Sequence, residues 1–350
     1  MIPLYKPFMP DLPMVNEILH SGKLAYGKYG IEFEKSLSKY FNTENVLVTN
    51  TFNMAILVAL TTLDVRHGDT VIVSPMACLA STQPLLSAGI KVQWADVDPL
   101  TGTLCPESVK NLMQVSPKAI IHNHFCGYPG HIDEINAIGK EYGVPVIDDG
   151  IESFGSEYKG KKIGDVGSEV TIFSFNPVRL PNTLDGGAVI FKDSALFAKS
   201  KLVRDAGIDR LKFRDELGEI SSQCDINLIG HSATPMELNS YIGVKQMQEI
   251  EKLIAKQRKN ALKWSEEFSD SNDILPIKSG EINPNYWVYG VLAKRKRETI
   301  KSFREKGFYA SGVHINNNIY SVFNDKKSLK GVNEFMEHFV AIPSGWWYEK

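Results

Sequence analysis

Carboxylates and hydroxyls collect at the ends of apolar runs in one stretch, Val144 to Lys192. Asp148, Asp149 and Glu152 follow the run Val144–Ile147, and Ser174 and Asn176 close the run Val170–Phe175. Polar groups at the strand ends of an α/β sheet face a ligand crevice more often than the core. Loop solvation is the plainer alternative. Upstream, His122 and His124 flank Asn123, a spacing that puts both on one face of a strand. A third metal ligand at useful spacing is not apparent, although His131 and Asp133 follow. Structural or substrate-contacting histidines are therefore expected ahead of a metal pair. The turns GYPG and DGG are not dinucleotide fingerprints.

The elements that must position these groups alternate. Strands are expected at Val46–Val48, Thr70–Ser74, Val92–Ala95, Ala119–His122, Val144–Ile147, Val170–Phe175 and Ala188–Phe191, all rich in β-branched or other apolar residues. Helical spacing lies between most of them, for example at Met54–Leu63, Ser108–Val115 and Ile132–Tyr142, and before them at Met14–Ser21 and Ile31–Tyr40. The pattern predicts an α/β fold, a mostly parallel sheet with helices on both faces. Residues 200–245 are polar and irregular. One long amphipathic helix is expected over Val244–Phe268, followed by a small α+β domain with NYWVYGVLA as a strand and Arg297–Lys306 as a helix. The expected division is a large domain, 1–245, with a Pro-punctuated N-terminal arm, and a small C-terminal domain, 246–350.

The 350 residues are 43% hydrophobic and 23% charged, ordinary for a globular chain, and a net charge of −2 gives no field to recruit nucleic acid or anionic lipid. No apolar run approaches the roughly 18 residues of a membrane span. The N-terminus lacks the basic-then-apolar order of a signal peptide. Cys78, Cys105, Cys126 and Cys224 are widely spaced without a C-x-x-C pair, which points to a reducing cytoplasm rather than to disulfides or zinc.

The segments VIDDGIESFGSEYKGKKIGDVGSEVTIFSF, DGGAVIF, WADVDPLTGTLCPESV and AIIHNHFCGYPGHIDEI resemble the DegT/StrS-type sugar aminotransferases over nearly the whole chain. These are fold-type I pyridoxal phosphate enzymes acting on nucleotide-linked keto-sugars. The resemblance implies a fold-type I architecture and a site shared across a homodimer. It makes Asp149 the partner of a pyridinium nitrogen and Ser174 a phosphate-contacting hydroxyl. Thr51, Phe52 and Asn53 stand in the family's small-residue phosphate turn, and Leu79, beside Cys78, in the place of the side chain over the ring. Glu152 replaces a Gln or His near the ring hydroxyl. Ser232, in GHSAT, matches an Asn donated by the neighbouring subunit. Arg179 occupies the position of the Schiff-base lysine.

That last match governs the functional expectation. Transamination needs a neutral amine, whereas guanidinium has a pKa above about 12 and is not nucleophilic. It binds a carboxylate or phosphate instead, and a salt bridge to Asp149 or Glu152 is as plausible as a ligand contact. If Glu152 points away, Arg179 and Ser174 make an anion cradle. A family branch with His at this position uses the cofactor noncovalently as a dehydratase, but Arg is a far poorer base than His. Lys159, Lys161, Lys162 and Lys192 lie on a turn or past a strand. The expected protein acts on or binds nucleotide-linked sugars in bacterial amino- or deoxysugar metabolism, serving a surface polysaccharide. Pyridoxal or pyridoxamine phosphate is held noncovalently or not at all. A noncatalytic paralogue, binding a sugar nucleotide or an active aminotransferase partner, is the alternative. A conventional aminotransferase using another lysine comes third. Neither nucleic acid nor membrane is an expected partner.

Overall fold

The computed structural model describes residues 1–277 and 281–350. A seven-stranded sheet forms the centre, from β1 (Val46–Thr49), β2 (Thr70–Val73), β3 (Lys91–Trp94), β4 (Ala119–Asn123), β5 (Val146–Asp149), β8 (Val170–Ser174) and β9 (Gly187–Phe191). Its order is β1-β9-β8-β5-β4-β2-β3, and only β9 runs antiparallel to its neighbours. β1, β4, β5, β8 and β9 are buried at every residue, as a sheet covered on both faces requires. The covering helices are α2 (Lys28–Phe41), α3 (Phe52–Thr62), α4 (Leu79–Ser87), α5 (Pro106–Leu112), α6 (Ile132–Tyr142) and α7 (Ser194–Arg204), with the short α1 (Val15–His20) near the N-terminus. Between β5 and β8 a two-stranded hairpin, β6 (Glu157–Tyr158) and β7 (Lys161–Lys162), pairs with β11 (Ile282–Asn283).

A 31-residue helix, α8 (Glu237–Glu267), connects the large sheet to a small one. Its first half packs on α2, where Gly243 lies flat against the Phe33 ring. A Cβ there would approach that ring to 2.6 Å. Its second half supplies Trp264 to a separate core with Phe268, Tyr289, Phe303 and Val340. The small sheet, in the order β10 (Ile274–Pro276), β12 (Tyr289–Ala293), β13 (Phe339–Ile342), is covered by α9 (Lys296–Glu305) and α10 (Lys330–His338). The N-terminal arm crosses to this region, with Ile2 bridging to Phe308.

The seven strands expected of the large sheet agree to within two residues at each end, whereas NYWVYGVLA, expected as one strand, pairs only from Tyr289. The long helix begins seven residues before the expected Val244. Its first turns carry Glu237, Asn239 and Ser240, which resemble loop composition. Glu237 instead turns its carboxylate onto the backbone N–H groups of Tyr29 and Gly30 at the start of α2. An acid at a helix N-terminus meets unpaired donors and the positive end of the helix dipole.

Candidate functional site

The cleft forms where the C-terminal ends of β4, β5 and β8 meet the loops preceding β12 and following α9. Its centre is an ionic cluster. Gly150 lets the chain turn tightly after β5, since a Cβ there would lie 2.6 Å from the Phe173 ring, and the turn delivers Glu152 into the cleft. The Glu152 carboxylate accepts the Cys126 backbone N–H at 2.7 Å on Oε2 and the His314 Nε2–H at 2.9 Å on Oε1. Arg179 Nη1 lies 3.3 Å from the same Oε1. Burial alone would raise the Glu152 pKa, but His314 and Arg179 reverse this and bring it down to about 2.

Arg179 sits in the loop between β8 and β9, its N–H bonded to Asn176 O at 2.8 Å. The guanidinium carbon lies 4.6 Å from the centre of the Trp287 ring, and Trp287 Nε1 donates to Val178 O at 3.0 Å. The indole therefore both supports the guanidinium and holds the loop that carries it. Of the two carboxylates weighed as partners for Arg179, Glu152 is the one engaged. Because Glu152 faces the guanidinium, the condition for an Arg179–Ser174 anion cradle is not met.

Asp149 closes β5 with no exposed surface. Its Oδ2 accepts from Asn123 Nδ2 at 2.9 Å and its Oδ1 from Ile151 N at 3.1 Å. Burial raises its pKa despite these bonds, and the nearby charge of Glu152 adds to the rise. Ser174 ends β8, its Oγ accepting from Asn176 N at 3.3 Å. Thr51 caps α3 through Oγ1, which accepts from Met54 N at 3.1 Å. Phe52 opens α3. Its ring is buried in the main core with Ala55 and Ile56, and Asn53 is exposed. Leu79 is 37% exposed at the start of α4, whereas the thiol of Cys78 senses the charges of Glu152, Arg179 and Asp149. The Ser232 carbonyl accepts from Asn50 Nδ2 of its own chain at 3.1 Å.

Three contributors were not legible as site residues: Trp287, His314 and Asn285. Asn285 is buried and joins the two parts of the fold. Its Nδ2 donates to Glu152 O at 2.7 Å and Phe154 O at 3.0 Å, and its Oδ1 accepts from Trp287 N at 2.8 Å. The aromatic and amide run NYW was the available signal.

His122 and His124 do share a face, and the neighbouring strand supplies the third group that their spacing did not reveal. Register pairs His122 with Asp148, whose Oδ1 lies 3.5 Å from His122 Nδ1 and 3.4 Å from His124 Nε2, all fully buried. Gly130 N–H donates to His124 Nδ1 at 3.3 Å, which leaves the His124 proton on Nε2, aimed at Asp148. Ser168 Oγ donates to the other carboxylate oxygen at 2.5 Å. A carboxylate ringed by donors in this way stays ionised, and burial lowers the His122 pKa so that its ring stays neutral. His122 Nδ1 and Nε2, His124 Nε2 and Asp148 Oδ1 have no hydrogen-bond partner among the described residues, and the three side chains offer ligand atoms within 4.8 Å of one another, a set that could hold a metal ion.

Comparison with known proteins places this geometry. A UDP-4-amino-4,6-dideoxy-N-acetyl-β-L-altrosamine transaminase from Campylobacter jejuni is 28% identical over 273 residues, covering 77% of this chain and 69% of the relative. The solved sugar aminotransferase CalS13 from Micromonospora echinospora superposes with a TM-score of 0.92 at 24% identity, covering all of this chain and 96% of that one. A GDP-4-keto-6-deoxymannose-3-dehydratase, solved with a trapped PLP-glutamate geminal diamine, superposes with a TM-score of 0.86 at 20% identity, covering 100% and 97%. The model of the DegT/DnrJ/EryC1/StrS aminotransferase family matches residues 10–345, and the chain belongs to that family.

Proposed function

We propose that this family member binds nucleotide-linked sugars, in the cytoplasm, within the biosynthesis of a bacterial amino- or deoxysugar for a surface glycan. It does so without an internal aldimine and is not a conventional transaminase. The nucleotide-sugar assignment rests on the relatives, one of which is named for a UDP-linked amino sugar. The observation that carries the rest is the commitment of Arg179, a permanent cation, to Glu152 and Trp287 in the cleft. A group that never deprotonates neither attacks an aldehyde nor shuttles a proton.

The noncatalytic reading has its own support. Both oxygens of Glu152 are engaged, and its depressed pKa keeps it a carboxylate at neutral pH. An acid held so far below the working pH is a poor proton donor. The homodimer also belongs to the proposal, supported by exposed apolar side chains along residues 211–236: Leu211, Leu217, Ile220, Ile229 and Met236. Exposed apolar side chains close together in sequence on a polar segment are what a dimer contact would cover. Calorimetric titration of the purified chain with UDP-, dTDP- and GDP-linked sugars tests the reading. Saturable binding of one of them, without amino-sugar product when glutamate and a keto-sugar nucleotide are supplied, is expected. Transamination by the unmodified chain, or no binding of any of the three, overturns it.

A further inference from the structure

We propose that Arg179 has taken over the place of the cofactor, so that this chain binds neither pyridoxal nor pyridoxamine phosphate. The inference deepens the reading above, which allows a noncovalent cofactor.

Room is the first argument. Arg179, Glu152, Ser174 and Trp287 are each at most 8% exposed, closed in by the chain's own side chains. Behind the guanidinium, toward Phe154, Gln257 and Asn285, the void is about 10 Å³, so Arg179 has no room to withdraw in that direction. That is the space of roughly one water, too little to take a guanidinium. The guanidinium itself fills the cleft between Glu152 and the indole.

The second argument is the state of Asp149. A cofactor ring needs this position open and ionised, so that a carboxylate can meet its pyridinium nitrogen. Here the carboxylate has no accessible surface, its two oxygens turned to Asn123 Nδ2 and to Ile151 N. Burial and Glu152 also favour its neutral form.

The third argument is rigidity. Moving Arg179 aside would strand Glu152 with one cation fewer and free the indole whose N–H holds the Val178 carbonyl. Asn285 ties both partners to one frame, bonding to Glu152 O and to Trp287 N. A guanidinium flanked by two fixed partners does not swing out to admit a ring without breaking buried contacts on both sides.

Pyridoxamine phosphate is the discriminating probe, because it has no aldehyde and cannot label surface lysines. It is dialysed to equilibrium against the full chain and against Arg179→Gly and Arg179→Lys, each checked for native circular dichroism. The unmodified chain is expected to take up none saturably at millimolar ligand. At least one folded variant, with the guanidinium removed or shortened, is expected to bind at least tenfold more tightly. Saturable uptake of one molecule per unmodified chain at micromolar ligand overturns the inference. So does failure of both folded variants to gain binding, since the exclusion would then not be Arg179's. Uptake without transamination would leave the proposed function standing; transamination would remove both.

Discussion

Replacing Arg179 by Ala tests the ionic cluster. Removing one member of a buried pair costs about 3–5 kcal/mol when the other charge is left uncompensated. Glu152 keeps His314 and the Cys126 N–H, which places the loss at the lower end, about 3 kcal/mol including the stacking on Trp287. For 350 residues at about 2.1 cal/mol/K each, the unfolding entropy is about 0.7 kcal/mol/K, so the melting point should fall by about 4 °C. The assay is a double-mutant cycle by thermal and urea unfolding, with Arg179→Ala, Glu152→Gln and the pair together. A coupling energy above about 1 kcal/mol is expected. Additivity within about 0.5 kcal/mol would refute the claim that Arg179 is held by Glu152.

Acid should expose the same cluster. The folded pKa of Glu152, about 2, lies below the ordinary 4.5, so its stabilisation is present above pH 4.5 and lost as pH falls toward 2. The 2.5-unit difference corresponds to on the order of 3 kcal/mol, and Glu152→Gln should flatten the acid-unfolding curve in that window. An unchanged curve would place the acid sensitivity elsewhere. Asn285→Ala removes the donor to Glu152 O and Phe154 O and should destabilise by about 2–4 kcal/mol in urea, whereas an unaltered midpoint would contradict its bridging role. Sedimentation should give a dimer at micromolar concentration, weakened by Ile229→Asp. A stable monomer would count against the interface along 211–236.

The fold was legible wherever burial dictated composition. β1, β8 and β9 are runs of apolar and β-branched residues because both faces of the sheet are covered, and such runs stand out in one dimension. The start of α8 was not legible, because its polar first turns act through a tertiary contact from Glu237 to α2. α4 is obscured by Pro84 within it. Asp149 and Ser174 stood out in the sequence because they end β5 and β8, and Glu152 because it follows three residues on. Trp287, His314 and Asn285 did not, since they reach the cleft from distant elements and no local spacing links them to Arg179. Asp148 meets the histidine pair through strand register, which sequence spacing does not encode. Phe52 stands in the expected phosphate turn with its ring buried in the core, a choice the local sequence leaves open.

The central claim is that no lysine of this cleft forms a Schiff base. Incubating the full chain with pyridoxal phosphate, reducing it with borohydride and mapping pyridoxyl-lysine by mass spectrometry tests it most directly. The account predicts no stoichiometric adduct within reach of Asp149, Glu152 and Ser174. One pyridoxyl group per chain on a lysine in that cleft would contradict it.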